Sequence, residues 1–293
     1  MTARQHFETC SKKGRGMAQQ SLDLIRAMYA KAEIAQPITG RGIGYKLFAA
    51  RLIPSMATKE MQRVYRLLRE ARERDVIPWE WIVDETREIE RVSTWDNPEE
   101  FAKRAAQSYR RDFWNMQSLR CEVWSEKGTV RGVLKPVLDD YAVGFRVMHG
   151  FSSATTIYDA ARDNDGRRLI VLYVGDYDPS GMFMSQEDLP TRLSKYGGDH
   201  ITLKRIALTR KQVNGLQSFL ASDKRKDLRY RWFCTNYGKR CWELDAMDPN
   251  ELRACVKKAI TELIEPKAWR RCEIVNQAEH ESLKTVLENW GAL

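Results

Sequence analysis

The stretch LIVLYVGDYDPSG, residues 169–181, is the strongest indication of the fold in this sequence. Its first six residues, Leu169–Val174, are continuously apolar, which is typical of a central parallel strand that is buried on both faces. Two carboxylates, Asp176 and Asp178, follow at the carboxyl end of this strand. Open α/β sheets form their sites at this end of their strands. The stretch therefore predicts both a parallel sheet and the position of its site.

Strand and helix patterns alternate on both sides of this stretch. Further strands are predicted at 119–125, 143–149 and 201–208, with helices at 129–141, 152–162 and 182–196 between the four strands. This order predicts an α/β domain, with a parallel sheet, right-handed crossovers and flanking helices. Residues 98–293 are predicted to form this domain together with a helical C-terminal end.

The N-terminal part has a different pattern. After a polar tail, residues 1–19, helices are predicted at 21–31, 41–51 and 58–74, followed by an alternating arm at Ile77–Val83. Three short helices and a β-arm are the outline of a winged helix, whose third helix contacts DNA. An ordinary small helical domain with a solvated arginine face is the alternative. Residues 20–97 are thus predicted to be a winged-helix-like DNA-binding domain.

Charge favours a polyanionic partner. The chain of 293 residues has a formal net charge of +9, and residues 201–240 alone carry eleven basic and two acidic side chains with aromatic residues between them. Such a surface suits phosphate and base contacts, although a solvated basic loop has the same composition. The residues expected to bind double-stranded DNA are Arg63, Arg66, Arg69, Arg72, Lys224, Arg225, Lys226, Arg229 and Arg231.

Membrane-spanning, secreted and zinc-binding proteins are disfavoured. The longest strongly apolar run, Leu169–Val174, is far shorter than the ~20 residues of a membrane-spanning helix, and no apolar stretch follows the basic residues near the N-terminus. The six cysteines form no CxxC pair, and the four histidines do not cluster with them, which disfavours zinc. We therefore expect a cytoplasmic, nucleoid-associated protein with free thiols and no membrane partner.

A third carboxylate, Glu126, ends the predicted strand at 119–125. If Glu126 meets Asp176 and Asp178 at neighbouring strand ends, the three carboxylates repel each other and their pKa values rise. A divalent cation removes that repulsion, and ligands that are all oxygen favour Mg²⁺ or Mn²⁺. The alternative is a simple turn in which an aspartate caps the helix that Pro179 opens.

These strand ends resemble the Toprim domain of topoisomerases, primases and related nucleases. The form GDYDPSG is most similar to the A subunit of type IIB topoisomerases (topoisomerase VI) and to the related meiotic double-strand-break protein. RGIGY at 41–45 resembles the family's Arg-x-x-Tyr-Tyr motif, and WELDA at 242–246 resembles its late Glu-(Leu/Ile)-x-Ala segment. The overall likeness, over roughly residues 20–264, is to small stand-alone members from bacteria and their mobile elements.

The resemblance implies Mg²⁺-dependent DNA strand cleavage, in which a tyrosine attacks phosphorus and stays covalently attached to one DNA end. Tyr45 would be the nucleophile, with Arg41 and Glu126 as further catalytic residues. Glu126, Asp176 and Asp178 would bind the metal, with Glu243 and Asp245 around them. The family's first tyrosine is Gly44 here and no ATPase region is present, so cleavage is expected rather than strand passage, with a separate ATPase subunit as a possible partner.

In the family that this chain resembles, the tyrosine of one protomer works with the metal of the other. We therefore expect a homodimer, in which Tyr45 lies far from the three carboxylates of its own chain. A core position for Tyr45, beside Leu47 and Phe48, is equally consistent with the sequence. Two other functions stay open: a hydrolytic Toprim nuclease of a mobile element or defence system, and a non-catalytic DNA-binding protein.

Overall fold

The computed structural model describes residues 19–83, 93–148 and 154–290. Outside this range lie residues 1–18 of the predicted polar tail, residues 84–92 of the predicted winged-helix-like domain, residues 149–153, where the predicted strand at 143–149 ends and the predicted helix at 152–162 begins, and residues 291–293. The helices are α1 Gln19–Ala35, α2 Gly40–Ala49, α3 Thr58–Glu73, α4 Pro98–Ser108, α5 Thr129–Tyr141, α6 Ala154–Arg162, α7 Pro179–Phe183, α8 Leu189–Lys195, α9 Tyr230–Tyr237, α10 Pro249–Thr261 and α11 Pro266–Trp290. The strands are β1 Ile38–Thr39, β2 Ile82–Val83, β3 Leu119–Ser125, β4 Gly144–Val147, β5 Arg168–Val174, β6 Ile201–Ala207, β7 Phe219–Leu220 and β8 Arg240–Cys241.

The predicted parallel sheet is confirmed. Its strands lie in the order β4-β3-β5-β6, and every neighbouring pair is parallel. β3 and α5 have the predicted bounds, and β5 and β6 differ from them by one residue. The helix predicted at 182–196 instead consists of α7, a π-helical turn at Met184–Asp188, and α8. The chain is therefore a mixed α/β protein whose four-stranded parallel sheet is flanked by helices.

The central strand β5 is buried on both faces, as its apolar run predicts. Leu172 and Val174 face a core that is completed by α5 and α10. Val171 and Tyr173 face a second core, which α6 and α8 complete. Since successive residues of a strand point to opposite faces, a strand between two cores needs an unbroken apolar sequence.

The N-terminal helices enclose a core of their own. Met28 of α1, Ile43 and Leu47 of α2, and Val64 and Leu67 of α3 are almost completely buried there. All five positions lie on the apolar stripes of amphipathic helices, which pack together to remove these stripes from water.

The predicted β-arm at Ile77–Val83 is wrong over most of its length. Ile77 is fully buried, whereas Trp79 is 51% exposed, so these side chains do not share one face as an alternating strand requires. Trp79–Trp81 forms a 3₁₀ turn, and only Ile82–Val83 is a strand, paired in parallel with β1. The described residues contain no antiparallel hairpin at this place. The coarser prediction of a helical N-terminal part holds, because helix formation depends on local periodicity.

The helical part packs directly on the sheet part of the same chain. Arg253 of α10 donates hydrogen bonds to the carbonyl oxygens of Ala35 (3.1 Å), Gln36 (3.0 Å) and Pro37 (3.1 Å), at the end of α1. These bonds satisfy carbonyls that a helix end leaves without partners. Lys46 of α2 also forms an ion pair with the Asp248 carboxylate.

The C-terminal helices begin with strong caps. The Asp248 side chain accepts a hydrogen bond from the Asn250 amide (2.7 Å), and Pro249 follows as the first residue of α10. Pro266 is the first residue of α11, which extends to Trp290 and confirms the predicted helical C-terminal end. In the parts of the chain that the structure describes, no helix is both long and apolar enough to cross a membrane.

Candidate functional site

The predicted acidic residues lie at one edge of the sheet. Ser125, the last residue of β3, is the register partner of Val174, the last residue of β5. Glu126 and Asp176 follow these paired ends and therefore lie at the same edge of the sheet. We call this edge, with Glu126, Asp176 and Asp178, the acidic edge. Burial raises the pKa of Glu126, and the charges of Asp176 and Asp178 raise it further. The charges of Asp176 and Asp178 thus lie close enough to Glu126 to raise the pKa of its carboxyl group.

Asp178 caps the short helix α7. It is only 4% exposed, and one of its oxygens accepts a hydrogen bond from the Gly181 amide at 2.8 Å. Burial and the charge of Asp176 nevertheless raise the pKa of Asp178. The capping turn, which the sequence offered as an alternative to a metal site, is present. It coexists with a second contact of the same carboxylate, whose other oxygen lies 3.3 Å from the Lys224 ammonium group.

The loop at 175–181 is held by one arginine, Arg205 of β6. Its guanidinium donates to the carbonyl oxygens of Gly175 (2.8 Å), Gly181 (3.0 Å) and Leu208 (2.9 Å), and also to the carbonyl oxygen of Asp176. The sequence analysis counted Arg205 only as part of a basic stretch. Its position inside a predicted strand, rather than in a loop, was the signal that it has a structural role.

Gly181 is required by the same loop. A Cβ atom at this position would lie 2.4 Å from the Asp176 carbonyl oxygen, a separation that real structures do not contain. The helix α7 can therefore approach the Asp176 backbone only because residue 181 is a glycine.

Lys127 is a second residue that the sequence analysis did not single out. Its ammonium group lies 2.9 Å from an Asp176 oxygen and 3.2 Å from an Asp245 oxygen. Burial disfavours the charged lysine, but the charges of Asp176 and Asp245 outweigh that effect and raise its pKa. Its place directly after Glu126 was a usable signal, since a residue that follows a strand end also lies at the edge of the sheet.

The segment at 242–245 reaches the site through a short backbone pairing. The Tyr177 amide donates to the Trp242 carbonyl oxygen at 2.8 Å, and the Trp242 amide donates to the Tyr177 carbonyl oxygen at 3.0 Å. The Leu244 amide then donates to the Asp176 carboxylate at 2.8 Å. The structure thus places Glu243 and Asp245 beside the acidic edge, where the resemblance implied them.

The acidic edge carries two lysines in this structure. Besides Lys127, the Lys224 ammonium group lies 3.3 Å from an Asp178 oxygen. Within residues 19–83, 93–148 and 154–290, no three acidic, histidine or cysteine side chains form a ready-made metal-binding group. The donor chemistry of Glu126, Asp176 and Asp178 fits a hard cation. Their arrangement would have to change around the lysines to bind one.

Arg41 and Tyr45 meet the acidic edge at Glu243. The Arg41 guanidinium binds both carboxylate oxygens of Glu243, one of them at 2.6 Å. Tyr45 is 6% exposed, and burial, followed by the charge of Glu243, raises its pKa well above the usual range. The tyrosine is therefore both a core residue and a neighbour of the candidate site, and its phenol strongly keeps its proton.

Two clefts flank the site, and Arg41 lines both. A cleft of about 900 Å³ lies between α3 and the end of β3, and it contains Glu126 and Lys127. A cleft of about 400 Å³ contains Tyr45 and Lys224. Tyr45 and Glu126 thus line different clefts of one chain.

The arginines of α3 are on the surface, but most of them have acidic neighbours on the same helix. Arg63 lies 3.9 Å from Glu60, Arg66 lies 3.1 Å from Glu70, and Arg69 lies 3.6 Å from Glu73. The Arg72 guanidinium stacks over the Trp79 ring at 4.3 Å. These pairs reduce the positive potential of the helix, as the alternative of a solvated arginine face assumes.

The basic segment at 224–231 lies next to the acidic edge, because its first residue, Lys224, contacts Asp178. Arg225, Lys226 and Arg231 are exposed, and Arg229 lies 3.3 Å from Asp227. Lys224 thus brings one positive charge of this segment to the carboxylates.

No family model, curated protein or solved structure matches this chain. The family resemblance of its motifs therefore stays a prediction, and so does the activity that the resemblance implies.

Proposed function

We propose that this chain is a divalent-metal-dependent enzyme that cleaves DNA strands, with a Toprim-like sheet domain and a winged-helix-like N-terminal part. One observation carries the proposal: Glu126 and Asp176 follow the register-paired ends of β3 and β5, and the pKa values of Glu126 and Asp178 are raised there. Carboxylates that are crowded at the carboxyl edge of a parallel sheet are typical of a reaction centre.

Glu126, Asp176 and Asp178 would hold Mg²⁺ or Mn²⁺, with Glu243 and Asp245 around them. A bound divalent cation stabilises the charge that develops on a phosphodiester as it is cleaved. The chain supplies positive side chains for the same phosphate, since Lys127 and Lys224 contact the carboxylates and Arg225 and Lys226 extend outward from them. Phosphate contacts of this kind give affinity for DNA without sequence preference.

Water is the better-supported nucleophile. A tyrosine must lose its proton to attack phosphorus, and burial next to Glu243 makes that loss harder for Tyr45. Glu126, in contrast, lines the larger cleft and has a raised pKa, which suits a group that accepts a proton from water. The hydrolytic nuclease is therefore our first proposal.

Attack by Tyr45 is the second proposal, and a specific arrangement favours it. The Arg41 guanidinium lies 5.9 Å from the centre of the Tyr45 ring, and Tyr45 shares a cleft with Lys224, which contacts Asp178. A phosphodiester that displaced Glu243 from Arg41 would lie close to the Tyr45 hydroxyl, and the Arg41 guanidinium could stabilise the negative charge of both groups. Tyr45 would then lie beside both a cation and the phosphate.

The test is incubation of the protein with supercoiled plasmid and Mg²⁺ or Mn²⁺, followed by denaturation with and without protease. Hydrolysis predicts nicked or linear plasmid that migrates identically with and without protease. It also predicts that Tyr45→Phe protein cleaves at the wild-type rate, whereas Asp176→Asn protein does not cleave. DNA that stays attached to protein until protease is added would instead establish the tyrosine route.

Asp140→Asn is the matched control, because Asp140 is an exposed acid at the end of α5 and away from the carboxyl edge of the sheet. If wild-type protein binds the plasmid but leaves it as intact as Asp176→Asn protein does, the non-catalytic DNA-binding protein becomes the better proposal. The homodimer and the separate ATPase subunit stay predictions, and light scattering and copurification test them.

A further inference from the structure

The larger cleft beside Glu126 contains two exposed aromatic side chains. Tyr65 of α3 is 41% exposed and Trp79 is 51% exposed, and both line the cleft. Tyr65 lies at helical spacing from Met61 and Leu68 on the apolar stripe of α3, where a buried position is the usual outcome. Large aromatic side chains that face an open cleft leave apolar surface in water, which is a feature of binding sites.

Both rings are held in place by their neighbours. A Cβ atom on Gly40 would lie only 3.2 Å from a carbon of the Tyr65 ring, so the ring lies closely against the start of α2. The Trp79 ring is covered on one side by the Arg72 guanidinium at 4.3 Å. Rings that are already oriented lose little conformational entropy when a flat ligand stacks on them.

The cleft leads to the acidic edge. Tyr65 and Trp79 line it on the side of the N-terminal helices, and Glu126 and Lys127 line it on the side of the sheet. At about 900 Å³, the cleft is at the large end of the usual range for ligand pockets, ~300–1,000 Å³. Arg69, which is 66% exposed, also lines the cleft. Its ion pair with Glu73, at 3.6 Å on the surface, is weak enough for a phosphate to replace.

These features fit nucleotides whose bases are unpaired. Single-stranded nucleic acid is bound by aromatic rings on which bases stack and by basic groups that contact the backbone. The bases of an intact duplex are stacked on one another and cannot stack on a side chain unless they are unpaired first.

We propose that the cleft between α3 and the end of β3 binds an unpaired DNA strand, with bases stacked on Tyr65 and Trp79 and the backbone directed toward Glu126. The inference rests on the proposed function, whose substrate class it narrows to DNA with a single-stranded region. Cleavage would then occur where the strands are unpaired, as at a gap, a flap, a strand end or the melted regions of a negatively supercoiled plasmid, rather than within fully paired DNA.

The test measures binding in the absence of metal. A short fluorescein-labelled single strand, and a hairpin duplex of related sequence, are titrated with wild-type protein in EDTA and followed by fluorescence anisotropy. We expect tighter binding of the single strand. Tyr65→Ala and Trp79→Ala should each weaken it by roughly 5- to 100-fold, as expected for the loss of one stacked base, whereas Tyr65→Phe should bind normally.

Tyr158→Ala is the control for a loss of exposed aromatic surface. Tyr158 is 46% exposed on α6, where it contacts Tyr196 outside the cleft, and its removal should leave binding unchanged. As a second measurement that needs no variant, a single strand containing bromodeoxyuridine is crosslinked to wild-type protein by light. The crosslinked peptide should contain Tyr65 or Trp79.

Equal or tighter binding of the duplex, normal binding by both alanine variants, or crosslinks confined to the segment at 224–231 would each overturn this inference. A failure of the proposed function looks different. In that case the single strand binds through Tyr65 and Trp79, but neither Mg²⁺ nor Mn²⁺ leads to cleavage.

Discussion

The Lys127 ammonium group lies 2.9 Å from the Asp176 carboxylate, at the edge of the sheet where β3 and β5 end side by side. Lys127 also contacts Asp245, whose carboxylate accepts a hydrogen bond from the Thr39 hydroxyl at 2.5 Å. Thr39 in turn accepts a hydrogen bond from the Gly42 amide and caps α2. One lysine thus joins the acidic edge of the sheet to the first turn of a helix in the N-terminal part.

Replacing Lys127 with methionine should lower the free energy of unfolding by about 1–3 kcal/mol, because it leaves Asp176 and Asp245 without their shared positive partner. The side chain is 32% exposed, so solvent screening limits the loss. Urea unfolding measures it. Lys135→Met is the control, since Lys135 pairs with Asp139 on the open surface, where such a pair contributes about 0–1 kcal/mol. Equal losses in the two variants would contradict a special role for Lys127.

Replacing Arg205 with lysine should destabilise the loop at 175–181. A lysine ammonium is a single point of charge and cannot satisfy several carbonyl oxygens in a fixed fork geometry. We expect a loss of about 2–4 kcal/mol in the free energy of unfolding, because buried carbonyls are left without donors. The control is Arg168→Lys, at an exposed position where the guanidinium donates to Thr202. An Arg205→Lys protein as stable as wild type would refute this prediction.

The stability of the protein should depend on pH through Glu126. Because its pKa is raised in the folded state, its contribution to stability is fully present below the unfolded pKa, ~4.3, and is lost as the pH rises through the folded pKa. Glu126→Gln protein should therefore be more stable than wild type at neutral pH, and the difference should shrink as the pH falls toward that value. Thermal unfolding in EDTA at several pH values measures this.

The matched control for the pH experiment is Glu99→Gln. Glu99 is exposed on α4 and contacts Lys103, which lowers its pKa instead of raising it. The substitution should therefore give no stabilisation at neutral pH. A Glu126→Gln protein that is less stable than wild type at neutral pH would contradict a raised pKa of Glu126 in the folded state.

Replacing Arg253 with lysine should loosen the contact between the N-terminal helices and the sheet. The carbonyl oxygens of Ala35, Gln36 and Pro37 depend on the Arg253 guanidinium, and we expect a loss of about 1–3 kcal/mol when they lose a forked donor. Hydrogen exchange of α1 should quicken relative to β5. Arg240→Lys, which alters exposed contacts with Ser218, should leave α1 unaffected, and equal exchange of α1 in both variants would contradict the prediction.

From the sequence alone, one can predict the parallel sheet, the bounds of its central strands, and the edge at which Glu126, Asp176 and Asp178 lie. These features depend on patterns among near neighbours in the chain. A doubly buried strand needs an unbroken apolar run, and the carboxyl ends of parallel strands meet at one edge of the sheet. The position of a residue just after such a run therefore predicts its place in the fold.

The side chains that meet at that edge could be identified only from the tertiary structure. Lys127 lies between Asp176 and Asp245, which are 49 and 118 residues away in the chain, and Arg41 reaches Glu243, which is 202 residues away. Tyr65 lies on the apolar stripe of α3, but the neighbouring elements leave an open cleft over it. Contacts of this kind depend on how whole elements pack, because an amphipathic pattern shows that a face can be buried but does not identify the element that covers it.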